Sequence, residues 1–132
     1  MCGTTLSSFI PCVSRKHANV LFRSCCEKFV DVNCLDLCRF ETRRSDAVKA
    51  FKSAMEKKCS LTNMSAILYC ASQNRNNKQC CNHLKLGTTT RSTTCLKFCD
   101  PSKNMIGTLT AKDLVCLQNW NVLMFCHLSG LT

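Results

Sequence analysis

The sequence predicts an all-α domain of short helices, stapled by disulfides and built as two pseudo-repeats. Three observations point there: the density of cysteines, the helical spacing of apolar residues, and a cysteine order that occurs twice. Fourteen of the 132 residues are cysteine, above the ~8–10% at which a short chain reads as a disulfide scaffold. Glutathione in the cytosol would keep most such thiols reduced, so the count points to an oxidising compartment and a secreted or extracellular protein. A chain of this length suits one compact domain, or two small ones sharing a core.

The repeat lies in the cysteines. Cys25-Cys26, Cys34, Cys38, Cys59 and Cys70 read CC-x7-C-x3-C-x20-C-x10-C, and Cys80-Cys81, Cys95, Cys99, Cys116 and Cys126 read CC-x13-C-x3-C-x16-C-x9-C. Neighbouring side chains agree: "CLDLC" (34–38) matches "CLKFC" (95–99), and "ILYC" (67–70) matches "LMFC" (123–126). Internal duplication is expected, with half-repeats of about 17–73 and 74–130 behind an N-terminal arm, 1–16. Between its CC pair and its C-x3-C the second half is six residues longer, an excess carried by "GTTTRSTT" (87–94). A Thr/Ser run after Gly reads as an exposed loop.

Helical periodicity recurs along the chain. Ala18, Leu21, Phe22, Cys25, Cys26 and Phe29 form one amphipathic stripe. A second comprises Ala47, Val48, Phe51, Ala54 and Met55, with Ser45 or Asp46 as the expected N-cap. Met64, Ile67, Leu68 and Ala71 make a third, started by Thr62, and a fourth surrounds Cys80, Cys81 and Leu84. The last is expected from Ala111 to about Leu128, opened by the capping-box pattern Thr110-Ala-Lys-Asp113. Its apolar content is Leu114, Val115, Leu117, Val122, Leu123, Phe125 and Cys126.

The cysteines suit neither metal nor redox chemistry. Structural zinc sites bring knuckles such as C-x2-C, a spacing that occurs nowhere here, and His17, His83 and His127 are dispersed. A thioredoxin-like role needs C-x-x-C in a βαβ setting, which is also missing. A scaffold explains more. On an α-helix Cys34 and Cys38 would share a face and reach different neighbours, whereas adjacent Cys25 and Cys26 would point about 100° apart towards separate partners. Six cysteines per half allow 15 connectivities, so the pairing stays open. Cys2 and Cys12 stand outside the twelve. They could pair with each other, tether the arm, or, for Cys2, belong to a segment absent from the mature protein.

The order from Cys25 to Cys126 resembles the DB module, a twelve-cysteine extracellular module found in nematode proteins. The resemblance rests on Phe22-x-x-Cys25-Cys26, the two C-x3-C motifs, "YCASQ" (69–73) leading into Cys80-Cys81, and the closing Cys116 and Cys126. It implies a secreted or ectodomain setting and six disulfides; it does not imply a biochemical activity. Where that family often carries Gly-Val-Pro between CC and C-x3-C, this chain has "EKFVDV" in the first half, and "LKLG" followed by threonines in the second.

Function is read from charge and from the motifs that do not occur. Eighteen Lys and Arg against eight Asp and Glu give +10, which favours an anionic partner. The expected reading is a disulfide-stapled binding module, not an enzyme and without cofactor or metal, whose partner is an extracellular protein or an anionic glycan. Arg39, Arg43, Arg44, Lys49 and Lys52 form the candidate anion-binding set. The alternative is a lipid or small-ligand carrier, with Phe51, Met55, Ile67, Leu123, Met124 and Phe125 lining a tunnel. Nucleic acid is not expected, because Trp120 and Tyr69 sit in apolar stripes and do not interleave with basic residues. Asn63-Met64-Ser65 is a candidate N-glycosylation sequon. No stretch reaches the ~18 apolar residues of a membrane span. A signal peptide is not visible either, since the Phe9-Ile10 run lacks a basic start and is broken by Pro11.

Overall fold

The computed structural model describes residues 2–4, 8–84, 93–101 and 116–131. Among them run five α-helices and four short 3-10 helices, with no strand. Helix α1 spans Arg15–Phe29 and is capped by Ser14, whose hydroxyl accepts from the His17 backbone N–H at 3.2 Å. Ala18, Phe22 and Cys26 are buried, but Leu21 and Phe29, expected on the same stripe, are exposed. The stripe is narrow because α1 is covered mainly by one helix and one turn: α3 (Met64–Ser72) and the 3-10 helix Val32–Leu37.

That 3-10 helix changes the geometry of "CLDLC". With three residues per turn, positions four apart diverge by about 120° instead of sharing a face. Cys34 and Cys38, the latter at the helix end, are both buried yet leave in different directions, to Cys59 and Cys26. "CLKFC" likewise lies in a 3-10 helix, Thr93–Cys99.

Helix α2 (Arg44–Glu56) starts earlier than expected. Arg43 is its N-cap and supplies no side-chain hydrogen bond, so Ser45 and Asp46 fall inside the first turn. There the Asp46 carboxylate complements the helix dipole and lies 3.9 Å from Arg43. Ala47 and Ala54 are buried, whereas Val48 and Met55 face outward. A 3-10 turn, Leu61–Asn63, leads into α3, whose N-cap is Asn63 rather than Thr62; within the turn the Ser60 hydroxyl accepts from the Thr62 N–H at 3.3 Å. Met64, Ile67, Leu68 and Ala71 are all buried, as their spacing predicts.

Helix α4 (Lys78–His83) buries Cys80 and Cys81. The 3-10 turn Leu117–Asn119 then runs into α5, Trp120–Ser129. Positions 87–92 of the expected loop, the capping box at 110–113 and the helix start at Ala111 lie outside the described residues. Trp120, Leu123, Met124, Cys126, His127, Leu128 and Ser129 of α5 are buried. A helix apolar on all sides belongs inside, and α5 packs against α2 and α3 of the first half as well as α4 of the second. The two halves therefore share one core.

Seven disulfides staple the described chain. In the first half they join Cys25–Cys70, Cys26–Cys38 and Cys34–Cys59; in the second, Cys80–Cys126, Cys81–Cys99 and Cys95–Cys116. Counted within each half, both sets pair first with sixth, second with fourth and third with fifth. Adjacent cysteines take separate partners in both. Their Cα–Cα distances, from 4.9 to 6.6 Å, suit a disulfide.

The N-terminal arm is closed by Cys2–Cys12 and packed onto the second half. Phe9 is buried against the His83 ring at 5.3 Å. Gly3 has φ +70°, and a Cβ there would meet the Ser129 carbonyl oxygen at 2.7 Å, so only glycine suits the contact.

His127 shows why the second half needs polar pairing inside. Its Nε2 lies 2.9 Å from the Phe98 carbonyl, which can only accept, so Nε2 carries the proton. Nδ1 then accepts from the Asn77 side-chain amide at 2.8 Å. Asn77 in turn donates its backbone N–H to the Cys99 carbonyl at 2.7 Å. A Cβ on Gly130 would fall on the Asn77 amide oxygen, so glycine is required beside this network.

Burial pushes the His127 pKa down to about 4, and the bond to Phe98 opposes that only partly. With an unfolded value of 6.5, the unfolded chain binds the proton first as pH falls. His127 therefore contributes its full stability above about pH 6.5 and loses it progressively towards pH 4, by up to about 3 kcal/mol. Urea unfolding of the native protein and of His127→Gln across that range should show the variant lacking this part of the slope. Equal slopes, or a His127 ring proton titrating near pH 6.5 by NMR in the folded native protein, would contradict it.

Candidate functional site

Every cysteine is bridged, and among the described residues no group of three or more His, Cys, Asp or Glu is placed to hold a metal ion. What the scaffold offers is surface. Two open grooves meet at Arg39, an exposed residue just after the first C-x3-C.

The first, ≈ 390 Å³, runs between the 3-10 helix Val32–Leu37 and α2. Three cations, Arg39, Lys49 and Lys57, face three carboxylates, Asp36, Glu41 and Asp46. Lys57 lies 2.7 Å from the Asp36 carboxylate, which also accepts from the Ser53 hydroxyl at 2.8 Å. The hydrogen bonds from Lys57 and then Ser53 hold the Asp36 carboxyl below its ordinary pKa. Exposed pairs of this kind contribute about 0–1 kcal/mol each, but they leave the groove charge-balanced. An anion gains little there.

The second groove, ≈ 480 Å³, follows one face of α1. Lys16, Arg23 and Arg39 face a single carboxylate, Glu27, with Asn19, Val20 and Ser24 between them. Arg23 pairs with Glu27 at 3.3 Å. Among the described residues neither Lys16 nor Arg39 takes part in an ion pair. The Asn19 side-chain oxygen accepts from the Phe40 N–H at 2.7 Å, which fixes the stretch of chain carrying Arg39 against the middle of the groove.

The structure thus divides the expected anion-binding set. Arg39 lines the positive groove and Lys49 the balanced one, Arg43 pairs with Asp46, and Arg44 and Lys52 stand exposed on α2. Sequence reasoning missed Lys16 and Arg23. A helical signal was available, since Lys16, Asn19, Val20, Arg23 and Glu27 fall on one side of α1 away from the buried stripe. Their assembly with Arg39 was not available, because Arg39 lies 16 positions beyond Arg23 in the chain.

A third groove, ≈ 470 Å³, is uncharged and lined by Phe29, Thr62, Ser65, Ala66, Tyr69 and Pro101. Phe29 and Tyr69 meet edge to face at 6.1 Å and stand 61% and 45% exposed. The sequon lies near its rim. Asn63 has both amide hydrogens engaged, to the Asp31 carboxylate at 3.1 Å and the Ser60 carbonyl at 3.0 Å, while its oxygen accepts from the Asp31 N–H at 3.1 Å. In this structure Asn63 works as a clip between two turns.

The residues suggested for a carrier tunnel are dispersed. Ile67, Leu123 and Met124 are fully buried in the core, Met55 is exposed, and Phe51 stacks edge to face on Trp120 at 4.9 Å. The cavity beside that pair, lined by Ala47, Val48, Phe51, Leu117 and Trp120, measures ≈ 100 Å³. Ligand pockets are commonly about 300–1,000 Å³. Among the described residues no helix is long and apolar enough to cross a membrane.

Comparison with curated proteins finds no match, and neither does comparison with solved structures. The family model of the DB module matches residues 24–127, from just before Cys25-Cys26 to just past Cys126. Twelve bridged cysteines in two identically paired sets lie within that span, and the chain belongs to the DB module family, a cysteine-rich domain of extracellular type.

Proposed function

We propose that this chain is a secreted or ectodomain binding module that presents a basic surface to an anionic extracellular partner and performs no chemistry of its own. The observation that carries the reading is the asymmetry of the two grooves at Arg39. With Arg39 shared at their junction, one groove sets two cations of its own, Lys49 and Lys57, against three carboxylates, while the other sets two, Lys16 and Arg23, against one. In a chain of net charge +10, a concave site with unspent positive charge attracts anions and raises their encounter rate. The disulfides support the reading by fixing the groove walls before a partner arrives, which lowers the ordering cost of binding.

The test is chromatography on immobilised heparin and on immobilised polyglutamate, beside a protein of equal size and net charge. Retention beyond that control on at least one matrix is expected at physiological salt, declining steeply as salt rises. Retention equal to the control on both would remove the reading.

A further inference from the structure

We propose that the groove on α1 receives an extended acidic segment of a partner protein, with two carboxylates three residues apart and an apolar side chain between them. This rests on the anionic-partner reading above and names the partner's class. Lys16 and Arg23 are seven residues apart, nearly two turns, so they point the same way and stand about 10 Å apart along α1. A polyproline-type segment rises about 3.1 Å per residue with three residues per turn, so side chains three apart also share a side, about 9 Å apart. The two spacings match. Arg39, held opposite Asn19 midway along the groove, faces the segment between its two carboxylates.

Two features favour a peptide over a sulfated glycan. Val20 sits between the two cations in the same groove and is 60% exposed. Covering it rewards an apolar side chain, which a uniformly charged sugar chain lacks. Glu27, paired with Arg23, places a carboxylate at the C-terminal end of the groove. It repels a polyanion running the length of α1 more than a short segment, of which only the last carboxylate, at Arg23, comes near it.

The test uses fluorescence anisotropy of a short labelled peptide with glutamates three apart flanking leucine, and of labelled heparin oligosaccharide, against the full chain. Two double variants carry the same charge change: Lys16→Glu with Arg39→Glu in the groove, and Arg44→Glu with Lys52→Glu outside it. All four positions are exposed, so folding should not be affected. The groove pair is expected to weaken peptide binding about tenfold or more, equivalent to about 1.4 kcal/mol, and the α2 pair no more than about twofold. Val20→Ser should weaken the peptide several-fold and leave heparin unchanged. Equal losses from both double variants, or a Val20→Ser effect absent for the peptide, would overturn the groove assignment while the anionic-partner reading stood. Tighter heparin binding governed by the same groove residues would overturn the peptide in favour of a sulfated glycan. Failure of the unmodified chain to bind either probe would overturn both.

Discussion

Replacing Cys80 and Cys126 with alanine is expected to remove about 4 kcal/mol of stability at 25 °C, the largest loss for any one bridge together with Cys25–Cys70. The bridge spans 46 residues of sequence, against 12 for Cys26–Cys38. A cross-link acts chiefly by restricting the unfolded chain, and on sequence separation alone, before the bridges nested inside the longer loop shorten it, that loop is worth about 4 kcal/mol and the shorter about 3. Both sulfurs are buried, as are those of Cys26 and Cys38, so the loss of packing is similar in the two cases. The difference between the double variants then reports loop length. Denaturant unfolding of both proteins, with the remaining bridges verified by intact mass, gives the comparison. If C26A/C38A proves the more damaging, the bridges act through local geometry at the 3-10 turn and not through the unfolded chain.

Trp120→Ala is expected to cost about 3–5 kcal/mol, the range for deleting a large buried aromatic, and to lower the melting temperature by roughly 10–20 °C. Trp120 opens α5, is 1% exposed, and stacks edge to face on Phe51 of α2. That contact joins the second half to the first. Its indole N–H has no hydrogen-bond partner among the described residues, an arrangement that costs free energy when buried. Trp120→Phe should therefore be much milder than alanine, since it keeps a ring against Phe51 and removes the unpaired donor. Calorimetry checks the ranking. Two separate transitions in the alanine variant would show the halves melting independently and place the shared core at this residue; a loss below about 1 kcal/mol would show that α5 docks without it.

Much of this was legible from residue types alone. Met64, Ile67, Leu68 and Ala71 repeat at helical spacing, and all four are buried in α3. The DB resemblance rested on the order of twelve cysteines, and the family match spans them. Ends and faces were harder. Arg43 caps α2 although Ser45 and Asp46 are the better cap formers, because the backbone enters its first turn at the Ala47 N–H to Arg43 carbonyl bond, 2.9 Å, before either is reached. "CLDLC" adopts a 3-10 helix because its two sulfurs are drawn to Cys59 and Cys26, which lie in different directions. Leu21 and Phe29 carry apolar side chains at core spacing, yet nothing in the sequence says that α1 is covered on so narrow a strip.

By itself the sequence determined the helical class, the cysteine order given twice, the basic excess and the family, because each of these depends on residue type and spacing along one chain. Which of fifteen pairings each half uses, which helix becomes central, and which cations share a groove were decided only in three dimensions. Those depend on which residues far apart in sequence are brought together, Cys25 with Cys70 in a bridge or Arg39 with Lys16 along one groove. Such contacts form because packing α5 of the second half against α2 and α3 of the first removes apolar surface from water that neither half could cover alone.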